Sequence, residues 1–120
     1  FLPGDLSFVT AGYDHVQFLS PARPNEILTC ISYVTGSHKR AVEVFTKFLT
    51  TDTPTKEVKL AFMAFCTLIV TNDLNDIHFP KLIAENDEEQ YLLASYDERL
   101  KQRDAELANN KVIRGHLNLK

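Results

Sequence analysis

One segment constrains this chain more than any other. Residues 58–71 read Val-Lys-Leu-Ala-Phe-Met-Ala-Phe-Cys-Thr-Leu-Ile-Val-Thr, with no charge after Lys59. In a strand, Leu60, Phe62, Ala64, Cys66, Leu68 and Val70 share one face, and Ala61, Met63, Phe65 and Ile69 share the other. A strand apolar on both faces belongs in the middle of a sheet, with a cover over each side. The run is also too short to be a membrane helix, which needs about 18 apolar residues.

Three further strands are expected around it. The first runs from Leu6 to Phe18, and Gly12 inside it signals a bulge or a bend. Ala22-Arg23-Pro24-Asn25 is a turn, because Pro21 and Pro24, within four residues, remove donors and fix φ. The second strand spans Ile27–Thr35, with Ile27, Ile31 and Tyr33 on one face and Leu28, Cys30 and Val34 on the other. Gly36-Ser37-His38-Lys39 reads as a polar turn. The third strand spans Ala41–Leu49; Val42, Val44 and Phe48 share a face, and Glu43, Phe45 and Lys47 share the opposite one. Short polar links favour antiparallel pairing.

A helix is expected from residue 86 to about 109. Asn86 is its N-cap, with Glu89 at capping-box spacing, and Asp87, Glu88 and Glu89 complement the macrodipole. Leu93, Tyr96, Leu100 and Leu107 form a narrow apolar stripe, interrupted by Arg103. Asn109-Asn110 is the expected stop. The organisation is therefore α+β: a sheet portion over residues 1–84, a trailing amphipathic helix over 85–109, and a polar tail over 110–120.

This inventory lacks a cover. One mostly charged helix cannot shield both faces of a four-stranded sheet. The chain also starts at Phe1, and Met63 is its only methionine among 120 residues. It is expected to be a processed product or part of a longer chain. Hydrophobic residues make up 44% and the net charge is -3, which disfavours general nucleic-acid binding. Cys30 and Cys66 form no CxxC and fit neither a disulfide framework nor a zinc site. Neither a metal nor a cofactor is expected.

Val9-Thr10-Ala11-Gly12-Tyr13-Asp14-His15-Val16-Gln17-Phe18-Leu19-Ser20-Pro21 resembles the first long strand of hotdog-fold acyl-CoA thioesterases. The family pattern Thr-Ala-x-x-Asp-x-x-x-Phe-x-x-Pro is matched by Thr10, Ala11, Asp14, Phe18 and Pro21. Val42-Glu43-Val44 is similar to the family's Met-Glu-Val, and Ala61-Phe62-Met63-Ala64-Phe65 to its Ala-x-Phe-x-Phe. Phe79-Pro80-Lys81-Leu82 and the helix carrying Arg99 and Arg103 resemble its trailing segment. The resemblance implies a hotdog fold, in which the sheet wraps a central catalytic helix that precedes this stretch and is missing from the sequence. It also implies hydrolysis of fatty acyl-CoA to fatty acid and coenzyme A, with coenzyme A entering only as part of substrate and product. A second hotdog domain or chain is implied as partner, in a dimer of hotdogs or a trimer of such dimers. The alternative is a non-catalytic hotdog half that serves a structural or acyl-CoA-binding regulatory role. The compartment stays open between cytoplasm and mitochondrion.

No catalytic residue is assigned. Thioester hydrolysis needs a carboxylate and oxyanion donors. Asp14 matches a sheet position of the family and is expected to make structural hydrogen bonds. Glu43 is expected on a solvated or interface surface, and His15 in a structural role. The family's turn before Met-Glu-Val, usually Gly-x-Thr/Ser-Ser, helps bind coenzyme A. Here Gly36, Ser37, Lys39 and Arg40 stand near it, with Gly36 seven residues before Glu43 rather than about five. Lys39 and Arg40 suit phosphate contacts; a solvated hairpin turn is the plain alternative.

Overall fold

In the computed structural model, residues 7–72 and 79–118 are described. Strands β1 (Phe8–Phe18), β2 (Glu26–His38), β3 (Ala41–Asp52) and β4 (Val58–Val70) form one four-stranded sheet, ordered β1-β4-β3-β2. All three pairings are antiparallel. β4 lies inside the sheet, between β1 and β3, as its two apolar faces require. Leu6 and His78 lie outside the described residues. No described helix is long and apolar enough to cross a membrane.

Cross-strand registration builds an aromatic row on each face. On the first face Tyr33 pairs with Phe45 and Phe45 with Phe65, with ring centroids 5.6 and 5.0 Å apart. His15 adds an edge contact to Phe65 at 5.8 Å. On the second face Phe48 pairs with Phe62 and Phe62 with Phe18, at 5.3 and 5.2 Å. Pairs of this kind contribute about 0.5–1.5 kcal/mol each beyond area burial. They also pin the register, since a slip of one residue sends every aromatic to the wrong side. The first row is well covered, with Phe45 6% and Phe65 4% exposed, whereas Phe18 at the edge of the second is 84% exposed.

Bulges modify the alternation expected from sequence. The register shifts at Ala11, beside Gly12, as the glycine signalled. A second shift in β1 sets His15 and Val16 opposite Ala64, and His15 takes φ 51° to accommodate it. In β4 the shift falls at Ala61, so Leu60 pairs with Leu49 and changes to the face opposite Phe62. In β2 it falls at Thr35: Val34 pairs with Val44 and Gly36 with Glu43. The fourth bulge corrects the expected turn. Instead of turning at Gly36, β2 absorbs one extra residue and continues to His38. Gly36 and Ser37 are strand residues, and only Lys39 and Arg40 connect β2 to β3. Lys39 carries the positive φ of 55° that such a two-residue turn requires.

Residues from Ala84 onward form a separate compact unit. Its helices are α1 (Asp87–Ala94) and α2 (Tyr96–Gly115), where the sequence suggested one helix. Asn86 is the N-cap: Oδ1 accepts from the Glu89 N–H at 2.9 Å, and Nδ2 donates to Glu89 Oε2 at 2.7 Å. The break falls at Ser95, whose hydroxyl donates to the Tyr91 carbonyl at 2.7 Å. A serine hydroxyl that bonds back to the preceding turn competes with the helical ladder. Arg99 reinforces the break by donating from Nη2 to the Leu92 carbonyl at 2.6 Å and from Nη1 to Ser95 Oγ. The helix does not stop at Asn109-Asn110. It runs on to Gly115, where the His116 N–H caps the Ile113 carbonyl at 2.9 Å.

Candidate functional site

The β2–β3 hairpin tip gathers the residues singled out from sequence, and their roles divide. Gly36 is buried and Ser37 half-buried, both within the strand; His38 and Lys39 are exposed; Arg40 is half-buried. Arg40 Nη1 donates to the Asn72 carbonyl at 2.6 Å and reaches the Val70 carbonyl at 3.5 Å. The Val70 N–H returns a bond to the Arg40 carbonyl at 2.9 Å. Arg40 therefore staples the tip to the end of β4. Lys39 is the projecting cation: its ammonium makes no hydrogen bond or ion pair among the described residues.

Beneath the tip lies a buried polar pair. Thr35 is fully buried, and its hydroxyl donates to Glu43 Oε1 at 2.6 Å. The Glu43 backbone carbonyl lies 3.4 Å from the same hydroxyl. Glu43 is only 7% exposed. This corrects the expectation of a solvated or interface glutamate. Val34 pairs with Val44, so Thr35 follows opposite Glu43, and the bulge sets Gly36 opposite the same glutamate as well. Alternation gave Glu43 its face but carried no signal of what covers it. A β-branched Thr followed by Gly inside an otherwise continuous strand was the available hint.

Asp14 is half-buried at a sheet position opposite Phe65. His15 is exposed and lies in the bulge. The two are not brought to Glu43 or to the hairpin tip by the pairing. Cys30 is exposed on the edge strand and Cys66 half-buried, both as free thiols. Among the described residues no group of three or more His, Cys, Asp or Glu side chains could hold a metal ion.

Two apolar hollows lie on the second face of the sheet. One, of about 590 Å³, lies over Phe18, Leu28, Phe48 and Phe62. The other, of about 600 Å³, lies between Val34, Ser37 and Val42 on the second face and a strap formed by Phe79–Ile83. The strap did not stand out as a cavity wall in the sequence.

No protein-family model and no curated protein sequence matches the chain. Solved structures do. An acyl-CoA hydrolase from Bacillus cereus superposes with a TM-score of 0.82 at 26% identity, over 93% of this chain and 69% of that one. An acyl-CoA hydrolase from Staphylococcus aureus, in complex with butyryl coenzyme A, coenzyme A and coenzyme A disulfide, gives 0.78 at 24%, over 91% and 67%. A hexameric acyl-CoA thioesterase gives 0.74 at 24%, over 85% and 66%. The chain thus spans about two thirds of the length of these structures. It has the hotdog fold of the acyl-CoA hydrolases.

Proposed function

We propose that this chain is the sheet-forming part of an acyl-CoA thioesterase that hydrolyses a fatty acyl-CoA to the free acid and coenzyme A. The observation that carries this reading is the superposition of nearly the whole chain on the Bacillus cereus acyl-CoA hydrolase. The catalytic carboxylate and its oxyanion donors are assigned to segments or partner domains outside the described residues. Asp14 and Glu43 serve the sheet. No metal or cofactor enters the proposed reaction; coenzyme A is part of substrate and product.

The hairpin tip is proposed to face the coenzyme phosphates. Its division of labour sharpens the assignment: Lys39 contacts the phosphate, and Arg40, Gly36 and Ser37 shape the tip that presents it. An exposed ammonium suits a phosphate as a point charge. The assembly is proposed to be a homo-oligomer of paired hotdogs, in line with the hexameric thioesterase of the same fold.

The second reading is a non-catalytic hotdog half that binds acyl-CoA or stabilises its partner. One observation favours it: the Arg40 guanidinium is already engaged by main-chain carbonyls, which leaves the tip with fewer cations for coenzyme A. The intact protein should be assayed against acyl-CoAs of graded chain length, with a thiol reagent detecting coenzyme A. Release with any chain length supports the enzyme. No release with all of them, together with retained acyl-CoA binding, supports the second reading.

A further inference from the structure

The strap-covered hollow on the second face has a composition that selects a ligand class. Its walls are apolar: Val34 and Val42 from the sheet, Phe79 and Leu82 from the strap. Polar character comes from Ser37 and Lys81; among the described residues no acidic side chain lines it. A volume of about 600 Å³ falls within the range of small-molecule sites, about 300–1,000 Å³.

We propose that this cavity binds a linear aliphatic carboxylate, with the chain against Val34, Val42, Phe79 and Leu82 and the headgroup between Ser37 and Lys81. The chain is favoured because it exchanges water for apolar walls. One lysine and one hydroxyl match a single negative charge. A polyphosphate needs more cations than the cavity offers, and a cationic amphiphile meets Lys81 with like charge.

The fold shows why Ser37 points into this cavity. Strict alternation from Val34 would put Ser37 on the opposite face. The bulge at Thr35 adds one residue, so Ser37 pairs with Val42 and shares its face. The Thr35–Glu43 hydrogen bond lies at the same bulge, on the other face of the sheet.

Only the source of the ligand rests on the thioesterase reading, since a fatty acid is the product of that reaction. The site itself is tested without turnover. Decanoate and decanol are titrated into the intact protein with methyl-labelled valine and leucine, observed by NMR. Decanoate should shift the Val34, Val42 and Leu82 methyl signals. Lys81→Glu should weaken decanoate binding by about fivefold, the scale of one exposed ion pair, and leave decanol unchanged. Val34→Trp should displace both by filling the cavity. The proposal is overturned by shifts confined to the Phe18–Phe48–Phe62 surface, by no shift at all, or by a Lys81→Glu effect equal for acid and alcohol. Lys81 is exposed, so its substitution keeps the test decisive if Val34→Trp fails to fold. Loss of decanoate binding leaves acyl-CoA hydrolysis standing, and the reverse also holds.

Discussion

Replacing Thr35 by Val probes the buried polar pair with little change of shape. Thr35 is completely excluded from solvent, and its hydroxyl lies 2.6 Å from Glu43 Oε1. Valine keeps the branched volume, so no cavity term arises. What is lost is one hydrogen bond to a buried carboxylate, and hydrogen bonds to charged groups contribute about 1.5–3 kcal/mol. With a urea m-value of about 1.5 kcal/mol/M, a loss near 2 kcal/mol lowers the unfolding midpoint by about 1.3 M. Glu43→Gln weakens the same contact from the other side by removing the charge. The double variant should therefore destabilise by less than the sum of the singles, with a coupling of at least about 1 kcal/mol. Urea unfolding of the intact protein, followed by circular dichroism at constant m, reads all four corners of the cycle. A Thr35→Val loss below about 0.5 kcal/mol, or additivity within about 0.3 kcal/mol, would falsify the argument that this pair is a coupled, stabilising contact.

Other substitutions test separate parts of the structure. Phe45→Ala removes the ring at the centre of the covered aromatic row and should cost about 3–5 kcal/mol in the same unfolding assay. Asn86→Ala deletes the side-chain cap of α1 and should cost about 1 kcal/mol locally, read as faster amide exchange in residues 87–94 with the sheet amides unchanged. Lys39→Ala should raise KM for an acyl-CoA about threefold with kcat unchanged. Arg40→Ala should instead lower stability by about 1 kcal/mol, because it breaks the staple to Asn72 and Val70; an effect on KM without an effect on stability would reverse the roles assigned to the two residues.

The sequence carried the pattern of the sheet much better than its irregularities. Residues 58–71 required a central strand, and β4 is one. The opposite faces of Phe45 and Phe48 followed from a period of two, and each found its aromatic partner there. Bulges elude that logic because they insert a residue without altering the apolar pattern on either side. Gly12 marked one shift, but the shifts at Ala61 and Thr35 involve residues that are ordinary in strands. Gly36-Ser37-His38 looked like turn chemistry, yet the bulge made room for a strand. Turn propensity yields when the flanking strands can continue pairing. In the helical unit, the Asn86 cap was legible from spacing, whereas the Ser95 break depends on hydroxyl and guanidinium bonds that no periodicity encodes.

The same distinction separates the two basic residues of the hairpin tip. Lys39 and Arg40 are adjacent and chemically alike, so from sequence they form one basic cluster. In the fold they are separated by a single dihedral choice. The positive φ at Lys39 turns its side chain outward at the apex, and the chain then returns Arg40 to the sheet, where main-chain carbonyls hold it. For Arg40 to grip a phosphate it would have to release the Asn72 carbonyl, and that lost bond must be offset by the new one. Lys39 carries no such debt. A charge reversal at Lys39 should therefore change the salt dependence of coenzyme binding, while Arg40→Lys, which keeps the charge but loses the planar fork, should change hairpin stability first.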